Sequence, residues 1–241
     1  MNIIDCRPGT VALFALFPLA LLAMGCGRTV DPHAAWREVV TQVSTQPAYE
    51  RGPVGAGLAV SNLLARGDHG WAVLSGGTDA CIVHSGVVHR IAADGSITQP
   101  APGAAVAYAQ VTWFAPDTIL DVMDLDPRLF QNMMRWKQPD TGRVKALRIT
   151  GHFKKLELVP PMAALRGEQA SVRTLDHVNG ALLGFRMPEA AGTVAPSGYN
   201  LFYLSRDGAS GGAVRDFVLG AGRIEIDDTP ILHVLLPDLP P

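Results

Sequence analysis

The 241 residues carry 20 Lys+Arg against 22 Asp+Glu, a formal net charge of -2, with 48% hydrophobic and 17% charged side chains. That balance excludes a disordered polyelectrolyte, and without a run of Lys or Arg it gives nucleic acid no surface to bind. The length suffices for one sizeable core, and three cysteines are too few for a disulfide framework.

Residues 1–27 read as an export leader, with 28–241 as the body. Arg7 gives the positive start and Val11–Ala23 the apolar run. Ala23-Met24-Gly25-Cys26 is similar to a lipobox, so Cys26 is the expected lipidation site. The uncharged stretch between Arg7 and Arg28 is also long enough to span a bilayer, which leaves an uncleaved anchor or simple secretion as alternatives. All three put the body outside the cytoplasm, in the cell envelope on the periplasmic side or secreted. A lipid on Cys26 would tether it to the membrane without spanning it.

In the body, Asp31-Pro32 is a capping signal, and Trp36, Val39, Val40 and Val43 follow at helical spacing, which predicts a helix over 32–43. Residues 51–57 form a glycine-rich loop. Val60, Leu63 and Leu64 mark a short helix closed by Gly67. Trp71–Leu74 reads as a strand, and Cys81–His84 with Val87–Ile91 as a hairpin about Ser85-Gly86, with a further turn at Asp94-Gly95. That hairpin puts His84 and His89 on one face, in diagonal positions, and Cys81 on the other. Two imidazoles without a third donor make a weak metal site, and Cys81 reads as a buried, inert thiol. Residues 100–104 are a loop, and Tyr108–Phe114 is a strand. Asp126-Pro127 caps a helix that buries Leu129, Phe130, Met133 and Met134. Lys145–Glu157 reads as two strands around Thr150-Gly151. Tyr199–Leu204 alternates, with Asn200, Phe202 and Leu204 on one face. A turn over 205–212 leads to a strand over 213–219, and Arg223–Asp227 and Ile231–Leu236 are further strands.

The stretch Gly198–Phe217, GYNLFYLSRDGASGGAVRDF, resembles a signature of the alpha-acetolactate decarboxylases, G-Y-H-x-H-F-I-S-x-D-x-x-x-G-G-H-V-x-D-F. Gly198, Tyr199, Ser205, Asp207, Gly211, Gly212, Val214, Asp216 and Phe217 stand in register with it. The likeness extends from about Gln42 to Leu236. It includes Gln42-Val43-Ser44-Thr45, Gly67-Asp68-His69-Gly70, the strand Tyr108–Phe114, Ala146-Leu147-Arg148-Ile149 with Gly151, Phe153 and Lys154, and residues 179–188.

The resemblance implies an α+β fold of two mixed, mostly antiparallel β-sheets with a few flanking helices, and a homodimer. In the family, three histidines hold zinc, which polarises 2-acetolactate for loss of CO2 and formation of acetoin, with glutamate and arginine side chains assisting. Here the three histidine positions hold Asn200, Phe202 and Ala213, and the glutamate position of the L-D-G-E-x-I-x-x-D-G pattern holds Ala80. The family's Gly-Thr pair is Ala72-Val73. Arg148 keeps the family's active-site arginine. The family carries a further C-terminal segment with another glutamate, beyond where this sequence ends. No zinc or other cofactor is therefore expected. The implied protein is a non-catalytic family member that binds a small carboxylate or a partner. A working decarboxylase, with metal bound otherwise or not needed, and an unrelated reaction using Asp207 or Asp216, are the alternatives.

Overall fold

The computed structural model describes residues 33, 36–45, 58–76, 79–139 and 141–236. The leader with Cys26 and the loop over 51–57 lie outside them. In chain order the elements are β1 (Val39–Val43), β2 (Leu58–Ala59), α1 (Val60–Leu64), β3 (His69–Leu74), β4 (Ala80–His84), β5 (Val87–Ile91), β6 (Ile97–Thr98) and β7 (Ala105–Thr112). Then come β8 (Thr118–Leu125), α2 (Pro127–Lys137), β9 (Val144–Val159), α3 (Pro161–Arg166), β10 (Arg173–Met187), β11 (Gly198–Ser205), β12 (Gly211–Thr229) and β13 (Ile231–Leu235).

Two sheets divide them. The first runs β13-β1-β7-β3-β4-β5-β6, with β2 added to β7; the second runs β11-β10-β9-β12-β8, and β12 bends to pair with β11 as well. Among these ladders β1–β13 is parallel and the others are antiparallel. This is the expected α+β, mostly antiparallel two-sheet architecture, with the difference that only the first sheet is mixed and the second is wholly antiparallel.

Alternation along the strands sorts the apolar side chains into three clusters. One lies between the sheets, with Trp71, Ala80 and Tyr108 from the first meeting Leu183, Phe202 and Ala213 from the second. Another covers the far face of the second sheet, where Phe130 and Met134 of α2 join Phe153, Tyr203 and Phe217. The last covers the far face of the first sheet and includes Leu63, Cys81 and Val111.

The β4–β5 hairpin turns on Ser85 and Gly86, both at positive φ (50° and 74°), as a two-residue primed turn requires. Asp126 caps α2, its Oδ1 accepting from the Leu129 N–H at 2.8 Å.

Four local expectations change. The run Val39–Val43 is a strand buried at every position, because β1 lies between β13 and β7. A run of Val and Thr interrupted only by Gln42 suits a strand covered on both faces as well as a helix face. Helix α1 ends on Ala65, and Gly67 serves a close approach instead: a Cβ there would meet the Thr112 backbone at 2.6 Å. Residues 145–157 lie in one strand, and 213–219 and 223–227 in another, 19 residues long. Gly151 and Gly222 let those two long strands touch, since a Cβ on Gly151 would lie 2.4 Å from Ala221 O. Leu129 is 49% exposed, so α2 buries Phe130 and Met134 without it.

Candidate functional site

The floor of the inter-sheet space is a row of side chains in direct register. Phe202 on β11 pairs with Leu183 on β10, Leu183 with Arg148 on β9, and Arg148 with Glu225 on β12. Directly paired residues share a sheet face, so all four look toward the first sheet. Ala213 pairs with Phe202 on its other side.

At the Phe202 end the space is filled. The Phe202 ring lies 5.3 Å from Trp71, which stacks on Tyr108 at 5.1 Å. Phe202, Ala213 and Ala80 are all fully buried in this one cluster. A polar chain fixes the Trp71 ring. Its Nε1 donates to Gln110 Oε1 at 3.2 Å, Gln110 Nε2 donates to Gln42 Oε1 at 3.0 Å, and Gln42 Nε2 donates to the Val194 carbonyl at 2.8 Å. Asn200 sits on the same face of β11 but at the margin, where its amide donates to the Pro196 carbonyl at 2.8 Å.

At the other end Arg148 is held on two sides. Glu225 takes its Nε at 2.6 Å and its Nη2 at 2.8 Å, a bidentate pair, and the Phe114 ring lies 4.7 Å from the guanidinium carbon. The hydrogen bond from Arg148 holds the Glu225 carboxyl below its ordinary value. Phe114 stacks in turn on His69 at 4.5 Å. Burial drives the His69 imidazole down to about 3, with Arg148 and His84 adding repulsion and the Gly184 carbonyl, 3.4 Å from Nε2, opposing. His69 Nδ1 and His84 Nδ1 are buried without a protein partner. His84, paired with His69 across β3–β4, is also lowered, by burial and then by Arg148.

From this row the strands lead outward into a groove of about 720 Å³ lined by His84, His89, Thr150, His152, Ala181 and Leu204 among others. His84 and His89 face the same space, as the hairpin register requires, and Cys81 points away. Burial raises the Cys81 thiol to about 12, which keeps it protonated. Asp207 lies in the turn after β11, with Ser205 Oγ donating to its Oδ1 at 2.5 Å, and Asp216 lies on β12.

Of the positions singled out in the sequence, Phe202, Ala213 and Ala80 therefore meet in one apolar cluster. Asn200 borders it, and Arg148 stands in the same row with Leu183 between. Zinc in a protein takes at least three imidazole, thiolate or carboxylate donors. A phenyl ring, two methyl groups and an amide bonded to Pro196 are not such a set. Among the described residues no three His, Cys, Asp or Glu side chains are grouped to hold a metal ion. Sequence reasoning missed Glu225 as the partner of Arg148. The alternation of Arg223, Glu225 and Asp227 against Ile224 and Ile226 showed its face, but the register to β9 was needed to name its partner.

A family model described as alpha-acetolactate decarboxylase matches residues 40–240. Similar curated proteins include the alpha-acetolactate decarboxylase of Klebsiella aerogenes, 26% identical over 212 residues covering 84% of this chain and 80% of the relative. Another is that of Methanosarcina mazei, 29% identical over 215 residues covering 83% and 73%. The X-ray structure of alpha-acetolactate decarboxylase from Bacillus subtilis strain 168 superposes with a TM-score of 0.75 at 26% identity, covering 83% of this chain and 89% of that one.

Proposed function

The chain belongs to the alpha-acetolactate decarboxylase family, and from that membership we propose that it is a non-catalytic member. In this reading the inter-sheet space that served a metal ion has become part of the hydrophobic core. The observation that carries it is Phe202, whose ring packs on Trp71 with Ala213 and Ala80 closing the same cluster. No Lewis acid can be held there by these side chains, and the methyl group of Ala80 cannot carry a proton. The protein then acts by binding, with a small carboxylate or a partner entering the groove beside Arg148. Lipidation at Cys26 would hold the body at the cell envelope, which mass spectrometry of the mature N-terminus tests directly.

Glu225 sets a condition on ligand binding. It already occupies two donors of Arg148, so an incoming carboxylate must displace it or use Nη1 and the second N–H of Nη2. Glu225→Gln, which removes the competing charge, is expected to strengthen binding of small carboxylates measured by calorimetry. Unchanged or weaker binding would remove Arg148 as the anchor. The reading as a whole is tested by metal analysis of the purified protein together with acetoin formation from 2-acetolactate. Stoichiometric zinc with turnover would overturn it.

The second reading is a working decarboxylase producing acetoin and CO2. The observation favouring it is that Arg148 lies two residues along β9 from Thr150, which lines a groove of about 720 Å³. Acetoin formation from 2-acetolactate by the wild-type protein would support it.

A further inference from the structure

Helix α2 covers the second sheet with Phe130 and Met134, yet its apolar surface does not stop there. At about 100° per residue, Leu129, Met133 and Trp136 fall on one stripe, in which Met133 is partly buried against the core and Leu129 and Trp136 face outward. Leu129 is 49% and Trp136 87% exposed, the latter the most exposed large apolar side chain among the described residues. Cations flank this stripe on both sides. Arg128 and Arg135 lie to one side and Lys137 to the other, all exposed. Between Pro127 and Lys137 there is no acid, and Asp126 is used as the N-cap.

We propose that this outer face of α2 docks on an anionic lipid surface. An apolar stripe with a tryptophan near its end, flanked on both sides by Arg and Lys, is the layout of a helix lying in the headgroup plane. The apolar groups enter the acyl boundary, and the long cationic side chains reach the phosphates. A second copy of the chain fits worse. A two-fold contact through this stripe would set three cations against three, with Asp126 already committed to the helix end. The inference goes beyond the proposed function and shares with it only the envelope setting expected from Cys26. It assigns the surface that faces the bilayer, whatever the groove binds.

The experiment uses the full chain, held by its own leader in vesicles that contain brominated lipid. One set of vesicles is rich in phosphatidylglycerol and the other is phosphatidylcholine alone. The reading is the emission lost when wild type is compared with Trp136→Phe, which isolates Trp136 from the three other tryptophans. The Trp136 component is expected to be quenched on the anionic vesicles and not on the zwitterionic ones. Replacing Arg128, Arg135 and Lys137 together by Gln is expected to lower the docked-to-undocked ratio roughly 100-fold. These residues are exposed, so the variants should keep the wild-type unfolding midpoint. An unquenched Trp136 on anionic vesicles overturns the proposal, as does equal quenching on both lipids. A wild-type dimer in sedimentation that Trp136→Gln dissociates would assign the face to a second copy instead.

Discussion

His69 gives the sharpest handle on the inter-sheet space. It is fully buried and stacked on Phe114, with Nδ1 unpartnered and Nε2 at 3.4 Å from the Gly184 carbonyl. Burial lowers its folded value from 6.5 to about 3. Below pH 6.5 the unfolded chain takes up a proton that the folded chain refuses until about pH 3. The stability from this group is therefore complete above 6.5 and is lost as pH falls toward 3. The full window corresponds to up to roughly 5 kcal/mol, and the part reached by about pH 4.5 to roughly 3 kcal/mol. His69→Leu removes the titration and an unsatisfied nitrogen while keeping an apolar side chain of similar bulk. Urea unfolding at about pH 4.5 and pH 7.5 should show the variant gaining roughly 3 kcal/mol on wild type between the two conditions, with m unchanged. If wild type and variant lose the same stability on acidification, the imidazole is not held neutral and the closed packing around Phe114 is wrong.

Asp227 works in the opposite sense. Burial raises its carboxyl to about 7, with Asp117 and Glu38 adding repulsion and the Ala115 N–H, 2.9 Å from Oδ2, opposing. Its stabilising contribution is complete below its ordinary 3.8 and is lost as pH rises through about 7. Asp227→Asn, which can still accept from Ala115, should gain on wild type by a few kcal/mol at about pH 8 relative to pH 4, read by thermal unfolding. Between about pH 4 and 6.5 the two slopes offset one another, so each single variant should uncover the other's. Gly184 has φ 151°, and a Cβ there would lie 2.0 Å from the Asn200 carbonyl oxygen. Gly184→Ala should part β10 from β11 and lower stability by several kcal/mol, seen as faster amide exchange at 198–205. Asn200→His, Phe202→His and Ala213→His combined should bind zinc by metal analysis, because direct pairing keeps 202 beside 213 and 200 lies on the same face. No zinc in a folded triple variant would show that the frame has shifted as well as the side chains.

How much of this was legible in the sequence depended on what each residue answers to. Turns and caps answer to local chemistry, and Ser85-Gly86 and Asp126-Pro127 are where the sequence puts them. The faces of β11 answer to period-two alternation, so Asn200, Phe202 and Leu204 were placed together correctly. Val39–Val43 failed because neighbours on both sides, not its own pattern, make it a strand. Gly151 reads as a turn but serves a close crossing with β12. Glu225 stayed hidden because its role exists only across a register between residues 77 positions apart.

Arg148 remains the residue on which a catalytic reading leans, and the structure supplies a different reason for its presence. It pairs through two hydrogen bonds with Glu225 and lies under Phe114, with its side chain 27% exposed and that of Glu225 14%. Removing one member of such a pair leaves the other charge poorly solvated, which is strongly destabilising whatever the protein does. Phe114 adds to this, because the same ring covers His69, whose neutral state depends on dry packing. The arginine, the glutamate, the phenyl ring and the imidazole thus form one joint between the sheets. Loss of Arg148 would open that joint before it touched any chemistry. The presence of Arg148 is therefore accounted for by folding alone, whereas the non-catalytic reading rests on Phe202, whose ring packs on Trp71 and offers no donor.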